Sequence, residues 1–135
     1  MKIVLDTNVF VSGVFFSGPP YRILEAWRDG KIQVVVSTEI LDEYQRVGEI
    51  MAEDHPAIDL KPLLDYLIQY AEICAAPPLP ESVCEDPDDD KFLSCALASE
   101  SRIIVSGDKH LLKVSGYREI EVIKPRDFVI KYLGC

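Results

Sequence analysis

The chain has 135 residues, of which 48% are hydrophobic. This is enough to bury one sizeable core, so we predict a single domain over residues 1–135. The 14 Lys and Arg residues against 23 Asp and Glu residues give a net charge of −9, which argues against a protein that coats nucleic acid through a basic surface. A nucleic acid substrate is still compatible with this charge, because a bound divalent cation reverses the field inside an acidic pocket.

The cysteines and histidines give no sign of a zinc site, because no CxxC pair is present and the two histidines lie far apart. We interpret the cysteines as free thiols, buried or terminal. The sequence shows no signal-peptide pattern and no apolar run near the ~20 residues that span a bilayer. We therefore expect a cytoplasmic protein without a membrane partner. The residues concerned are Cys74, Cys84, Cys95, Cys135, His55 and His110.

Short apolar runs alternate with helical patterns along the first half of the chain. Residues 1–6, MKIVLD, are too few for a helix and suit a buried strand that ends on an acid. The apolar spacing from Pro20 predicts a helix that stops at Gly30. The β-branched run Ile32–Ser37 predicts a strand buried on both faces. It leads into a helix whose apolar face contains Ile40, Leu41, Tyr44 and Val47.

The second half continues this alternation. Leucines and other apolar residues at i, i+3, i+4 and i+7 predict a helix between Asp59 and Cys74, and the Pro-rich segment Ala75–Glu81 is typical of a crossover loop. An acidic helix start follows, then a strand at RIIVSGD, a short helix at KHLLK, a strand near EIEVI and a helix from Pro125. The alternation predicts an α/β fold, with a central parallel sheet and helices on both faces.

Two aspartates stand where strands of this sheet end. Asp6 closes the first strand, and Asp108 follows a late strand, two residues after Ser106. Because parallel strands end at one edge of a sheet, both carboxylates are expected at the edge where such folds bind ligands. Each aspartate also has a purely structural interpretation, since Asp is a preferred turn and N-cap residue.

Two further acids are expected to lean toward the same edge from helices. At about 100° per residue, Glu43 and Asp90 fall at the border between the apolar and the solvated face of their helices. Glu43 is also typical of an ordinary solvated helix position. In the run DPDDD, Asp88 or Asp89 suits the helix cap, and any acid in the first turn suits the helix dipole.

Convergence of these acids would produce a pocket with oxygen ligands alone, which suits Mg²⁺ or Mn²⁺. Divalent ions in such a pocket support phosphodiester hydrolysis. Without metal, repulsion should raise the pKa of at least one carboxyl group. Mg²⁺ or Mn²⁺ should then raise the melting temperature, and Asp6→Asn should reduce that rise. The four acids are Asp6, Glu43, Asp90 and Asp108.

Four segments together resemble the PIN-domain ribonucleases, in particular the small prokaryotic toxin components of toxin–antitoxin pairs. They are IVLDTNVFVSG, VVVSTEILDEYQRV, DPDDDKFLSCALA and IIVSGDKHLL, and they span the chain from residue 2 to about residue 112 in the family's order. The resemblance implies a three-layer α/β/α sandwich. It also implies a Mg²⁺- or Mn²⁺-dependent endoribonuclease centre.

The resemblance implies roles for single residues as well. Asn8 and Ser106 would orient carboxylates or a metal-bound water, while Asp86 and Asp89 would either contact the ion through water or cap the helix. It further implies an RNA substrate, a cognate antitoxin protein and a homodimer. The acids that would bind metal are Asp6, Glu43, Asp90 and Asp108, and the basic residues proposed for RNA are Arg22, Arg28, Lys109 and Lys113.

Other functions remain open at this point. An aspartyl-nucleophile phosphoryl-transfer enzyme also begins with a strand that ends on Asp, but Asn8 stands where that class usually has a second acid. A response-regulator receiver would need paired acids near the first strand and a phosphorylated Asp after the middle strand, and neither feature is apparent in the sequence. A non-catalytic PIN-like module that binds metal or RNA is the strongest alternative, because it needs the same residues but no turnover.

Overall fold

A computed structural model describes residues 1–134 of the chain. Its centre is one five-stranded sheet in which every neighbouring pair of strands is parallel, in the order β3-β2-β1-β4-β5. This confirms the parallel sheet that the alternating pattern predicts. The strands are β1 (Lys2–Leu5), β2 (Gln33–Val36), β3 (Glu72–Ile73), β4 (Ile103–Val105) and β5 (Glu121–Ile123).

Helices cover the sheet in the three-layer α/β/α arrangement that was expected. Helix α5 packs against β1, β2 and β4, while α1 packs against α2 and α3, and α2 packs against α7. A 3₁₀ turn, Pro87–Asp89, leads directly into α5. The helices are α1 (Thr7–Phe15), α2 (Pro19–Arg28), α3 (Thr38–Asp54), α4 (Lys61–Tyr70), α5 (Asp90–Ser99), α6 (Lys109–Leu112) and α7 (Pro125–Tyr132).

The central strands consist of apolar residues because helices contact both of their faces. In β1, β2 and β4 every residue except the first of β1 and of β2 is buried. Continuous apolar runs of this kind are expected in parallel strands. Apart from those first residues, Lys2 and Gln33, the three strands contain no polar side chain. Polar chemistry at the carboxyl edge of the sheet is therefore confined to the residues that follow the strands.

Two elements differ from the sequence interpretation. Helix α1 was not predicted, because six of its nine residues are buried and the segment lacks the polar face of an amphipathic helix. The prediction of a helix as far as Cys74 was wrong beyond Tyr70. Ala71 has an extended backbone, and the next two residues pair with the free edge of β2 as strand β3.

The chain changes direction across the sheet at β1. This strand pairs with β2 on one side and with β4 on the other, so the connections from the two halves of the sheet diverge at its carboxyl end. Such a switch point forms a crevice in which α/β proteins bind ligands. Asp6 and Ser106 are the first residues after β1 and β4, so they line this crevice.

The described part of the chain contains three free cysteines, Cys74, Cys84 and Cys95, as expected; Cys84 and Cys95 are buried. The prediction for Cys135 lies outside the described residues. Among the helices of residues 1–134, none is both long and apolar enough to span a membrane.

Candidate metal centre

Ser106 connects the two aspartates that follow β1 and β4. Its fully buried hydroxyl donates a hydrogen bond of 2.6 Å to Asp6 Oδ2 and accepts one of 2.9 Å from the backbone N–H of Asp108. The backbone N–H of Asp6 donates to the carbonyl of Val105 at 3.0 Å, which continues the pairing of the two strands. Asp6 and Asp108 are therefore held at the same edge of the sheet, as the strand ends predicted.

The aspartate Asp6 is buried, with only 5% of its surface exposed. Burial raises the pKa of its carboxyl group, the hydrogen bond from Ser106 opposes this, and repulsion by Asp108 and Glu43 adds to the rise. The expectation that one of the predicted acids would have a raised pKa is confirmed for Asp6. Desolvation contributes more to the raised pKa of Asp6 than repulsion between carboxylates does.

Three side chains at this edge form a group that could hold a metal ion. One ligand atom each from Asp89, Asp108 and His110 lies within 4.8 Å of the others, and all three residues are partly buried. Asp108 also caps α6, because its Oδ1 accepts a hydrogen bond of 2.8 Å from the backbone N–H of His110. The cap interpretation of Asp108 and its place in the cluster are thus compatible.

Asp89 is the acid of the DPDDD run that faces the other aspartates. Partial burial and repulsion by Asp108, Asp86, Asp6 and Asp88, in that order, raise its pKa to about 6. A carboxyl group that resists ionisation beside other carboxylates is stabilised by a cation. Asp89 therefore behaves as a group that lacks its counter-ion.

Asp90, which the sequence placed in the metal set, points elsewhere. Its Oδ1 accepts a hydrogen bond of 2.7 Å from the backbone N–H of Cys84, and its Oδ2 accepts one of 3.1 Å from that of Val83. Partial burial opposes ionisation, but these bonds outweigh it and lower the pKa of Asp90. The structure thus turns Asp90 toward the preceding loop and brings Asp89 to Asp108 in its place.

Glu43 lies close enough to raise the pKa of Asp6, but its own oxygens contact protein groups. Its Oε1 accepts a hydrogen bond of 2.5 Å from the hydroxyl of Thr7, and its Oε2 forms an ion pair with Lys91. Arg46 lies 3.8 Å from the same Oε2. Glu43 is thus brought to the site, as its helical position predicted, and is neutralised there by basic side chains.

The remaining predicted residues are less tightly placed. Asn8 is exposed in the first turn of α1, and the hydrogen bonds described within residues 1–134 include none from its side chain. Asp86 caps the 3₁₀ turn by accepting a hydrogen bond from the backbone N–H of Asp88 at 3.0 Å. The role of Asn8 beside a metal remains a prediction.

The basic residues proposed for RNA divide into two groups. Lys113 lies beside the acidic cluster, since its Nζ is 3.7 Å from Glu85, which also lies 3.6 Å from His110. Arg28 pairs instead with Glu25 and Asp29 at the end of α2. Arg22 lies near the carboxyl-terminal end of the chain, in a surface pocket with Arg126 and Val129.

The donor set fits a hard or borderline divalent cation. Carboxylates are ligands of both Mg²⁺ and Mn²⁺, and the imidazole of His110 adds a nitrogen donor that transition metals accept more readily than Mg²⁺ does. Asp6 contributes further negative charge directly beside this group. Asp6, Asp89, Asp108 and His110 therefore form the part of the site that could hold an ion.

The raised pKa of Asp89 predicts how the stability of the metal-free protein depends on pH. Its folded pKa of about 6 exceeds the ordinary value of 3.8, so the contribution of Asp89 to stability should be fully present below pH ~4 and should be lost as pH rises through 6. After a discount for solvent screening, we expect a loss of about 1 kcal/mol. Urea unfolding in EDTA at pH 4.5 and at pH 7.5 measures this loss in the free energy of unfolding. Asp89→Asn, which keeps Asp6 and both histidines, should reduce the difference by the part that Asp89 contributes.

Comparison with known proteins agrees with this geometry. A profile of the PIN domain family matches residues 2–110, which include β1, β2, β4 and every residue of the acidic site. An uncharacterized protein from Methanocaldococcus jannaschii is 26% identical over an alignment of 149 positions, which covers 98% of this chain and 92% of that protein. PIN domains are generally metal-dependent nucleases. On the family match and the fold together, the chain belongs to the PIN domain family.

Proposed function

We propose that the protein is a Mg²⁺- or Mn²⁺-dependent endoribonuclease that hydrolyses RNA phosphodiester bonds. The observation that supports this most is the cluster of Asp89, Asp108 and His110 beside the buried Asp6, at the switch point of a PIN-domain sheet. Asp6, Asp89 and Asp108 would hold the ion, with His110 as a fourth donor. Asp90 would act indirectly, by fixing the loop before α5.

A divalent ion bound there would supply positive charge for the phosphate and would lower the pKa of a bound water. The protein's own residues provide the rigid support for this chemistry. Ser106 fixes the orientation of Asp6 and the position of Asp108 through its two hydrogen bonds. The hydrogen bond from the backbone N–H of His110 fixes the Asp108 side chain as well. Such preorganisation reduces the reorganisation needed during the reaction.

The charge of the site explains why metal would be required. Asp6 and Asp89 already resist ionisation in the metal-free protein, so a phosphodiester would be repelled from the same crevice. An ion would reverse this local field, while the −9 charge of the whole chain would continue to discourage unselective RNA binding. Lys113, and its neighbour Lys109 on α6, are the basic residues from the predicted set that could contact RNA near the site.

The test is cleavage of a mixed, structured RNA pool by the purified protein with Mn²⁺, with Mg²⁺ and with EDTA. We expect metal-dependent cutting that disappears in Asp108→Asn, while the exposed-site variant Asp65→Asn on α4 retains it. If the RNA stays intact with every metal while the protein is folded and binds the ion, the nuclease proposal is contradicted. That outcome would favour the alternative of a non-catalytic module that binds metal or RNA.

We also propose that the nuclease acts as a toxin. Its effect on bacterial growth tests this role. Induced expression in a bacterial host should arrest growth, and Asp108→Asn should not. A cognate antitoxin protein and a homodimer remain predictions from the resemblance. Normal growth with soluble, cleaving protein would contradict the toxin role and leave the nuclease intact.

A further inference from the structure

Lys91 follows the acidic run directly and extends into the acids of the site. Only 14% of its side chain is exposed, although lysine usually lies in solvent. Its ammonium group contacts Glu43 Oε2 and lies 2.8 Å from Asp88 Oδ2. It thereby joins α3 to the start of α5 across the edge of the sheet.

Contacts with Thr7 and Lys91 leave Glu43 without a free oxygen for a metal ion. One oxygen accepts the hydrogen bond from Thr7, whose own surface is only 3% exposed. The other is shared between Lys91 and, at 3.8 Å, Arg46. A partly buried carboxylate with both oxygens engaged is costly to detach from its partners.

The other acids of the site lack any such partner. None of the ion pairs described within residues 1–134 involves Asp6, Asp89 or Asp108. The acidic site is therefore divided into two parts. In one part, a lysine already forms ion pairs with Glu43 and Asp88. In the other, three aspartates and His110 have no cation.

We propose that Lys91 takes the place of a second metal ion, so that the site binds one divalent cation per chain and Glu43 is not a ligand. This inference rests on the proposed function only in assuming that Asp6, Asp89 and Asp108 bind a divalent ion. A fixed ammonium group in contact with Glu43 and Asp88 repels another cation from these two carboxylates and offsets part of their charge. Lys91 is thus a positioning residue that sets the metal count.

The experiment counts bound Mn²⁺ by isothermal titration and by the EPR signal of the free ion. The wild-type protein should bind one Mn²⁺ per chain, and Lys91→Arg should also bind one. Lys91→Met frees Glu43 and Asp88, and should bind a second, weaker Mn²⁺. The double variant Lys91→Met with Glu43→Gln should return to one. The exposed Lys61 at the start of α4 provides the matched control, since Lys61→Met should leave the count unchanged.

A second measurement keeps the inference testable if Lys91→Met does not fold. In the wild-type background, Glu43→Gln should bind one Mn²⁺ with a Kd within about threefold of the wild-type value, whereas loss of a true ligand weakens binding by roughly 10-fold or more. Two ions in the wild-type protein, or a large loss of affinity in Glu43→Gln, would overturn the inference. Neither result requires RNA cleavage. A protein that binds one Mn²⁺ and cuts no RNA would contradict the proposed nuclease and leave the role of Lys91 intact.

Discussion

Asp89→Asn is expected to reduce RNA cleavage strongly while the metal-free protein remains folded. Asp89 lies within reach of Asp108 and His110 in the candidate metal group, so removal of its charge should weaken Mn²⁺ binding at least 10-fold and cleavage by roughly 100-fold. The same change relieves repulsion between carboxylates, because the raised pKa of Asp89 reflects burial and its acidic neighbours. The melting temperature in EDTA should therefore stay level or rise.

Asp90→Asn should give the opposite pattern: the protein becomes less stable but still binds Mn²⁺. Asp90 receives hydrogen bonds from the backbone of Val83 and Cys84, and an amide accepts these more weakly than a carboxylate does. We expect a loss of about 1–2 kcal/mol in the free energy of unfolding, equivalent to a fall of about 3–10 °C in melting temperature. Mn²⁺ affinity should change less than about 10-fold, since Asp90 acts on the site only through the loop.

The two variants are compared by three measurements: Mn²⁺ titration, RNA cleavage and thermal unfolding in EDTA. Asp65→Asn provides a control, because Asp65 is exposed on α4 and lies outside the acidic run. If Asp90→Asn lost the ion and Asp89→Asn retained it, Asp90 would be the ligand, as the sequence alone suggested. The side-chain orientations described above would then not be those of the metal-bound protein.

The strand-end acids could be predicted from the sequence because their position depends only on topology. Parallel strands all end at one edge, so any acid that follows β1 or β4 must lie at that edge whatever the strand order. Asp6 and Asp108 meet this condition, and Ser106 joins them. The position of Glu43 could also be predicted, because it lies on a long regular helix with a clear apolar face.

The choice between Asp89 and Asp90 could not be predicted in this way. The sequence argument assigned the directions of these acids by the angle of a regular α-helix, about 100° per residue. Residues 87–89 instead form a 3₁₀ turn, in which each residue advances about 120°, so the facing acid changes. The partners that fix Asp90 lie in the irregular segment before it, and no periodicity indicates where such a segment places its backbone N–H groups.

Lys91, Thr7 and His110 were missed, or left out of the site, for a related reason. Each is an unremarkable residue in its own element, and its role depends on contacts with residues far apart in the sequence. The contact between Thr7 and Glu43 spans 36 residues, and that between Lys91 and Glu43 spans 48. The adjacency of His110 to Asp108 was visible in the sequence, but its proximity to Asp89 was not.

Asp6→Asn is expected to stabilise the metal-free protein and to remove its stabilisation by metal. The carboxyl group of Asp6 is buried and its pKa is raised, mainly by desolvation, although it accepts a hydrogen bond from Ser106. An asparagine of the same shape can still accept that hydrogen bond and carries no charge. In EDTA at pH 7.5, a gain of about 1 kcal/mol would raise the melting temperature by about 3–5 °C.

The stabilisation by metal separates a ligand from a residue that merely destabilises the fold. With Mn²⁺ at about 100 times its Kd, a single site contributes about 2.7 kcal/mol to the wild-type protein, and Asp6→Asn should lose most of this while Asp65→Asn on α4 keeps it. Two melts, in EDTA and in Mn²⁺, are therefore enough for each variant. An Asp6→Asn protein with the wild-type response to Mn²⁺ would exclude Asp6 as a ligand. A higher melting temperature without that response is the result expected if the fold holds Asp6 in a buried, unfavourable position that the ion makes favourable.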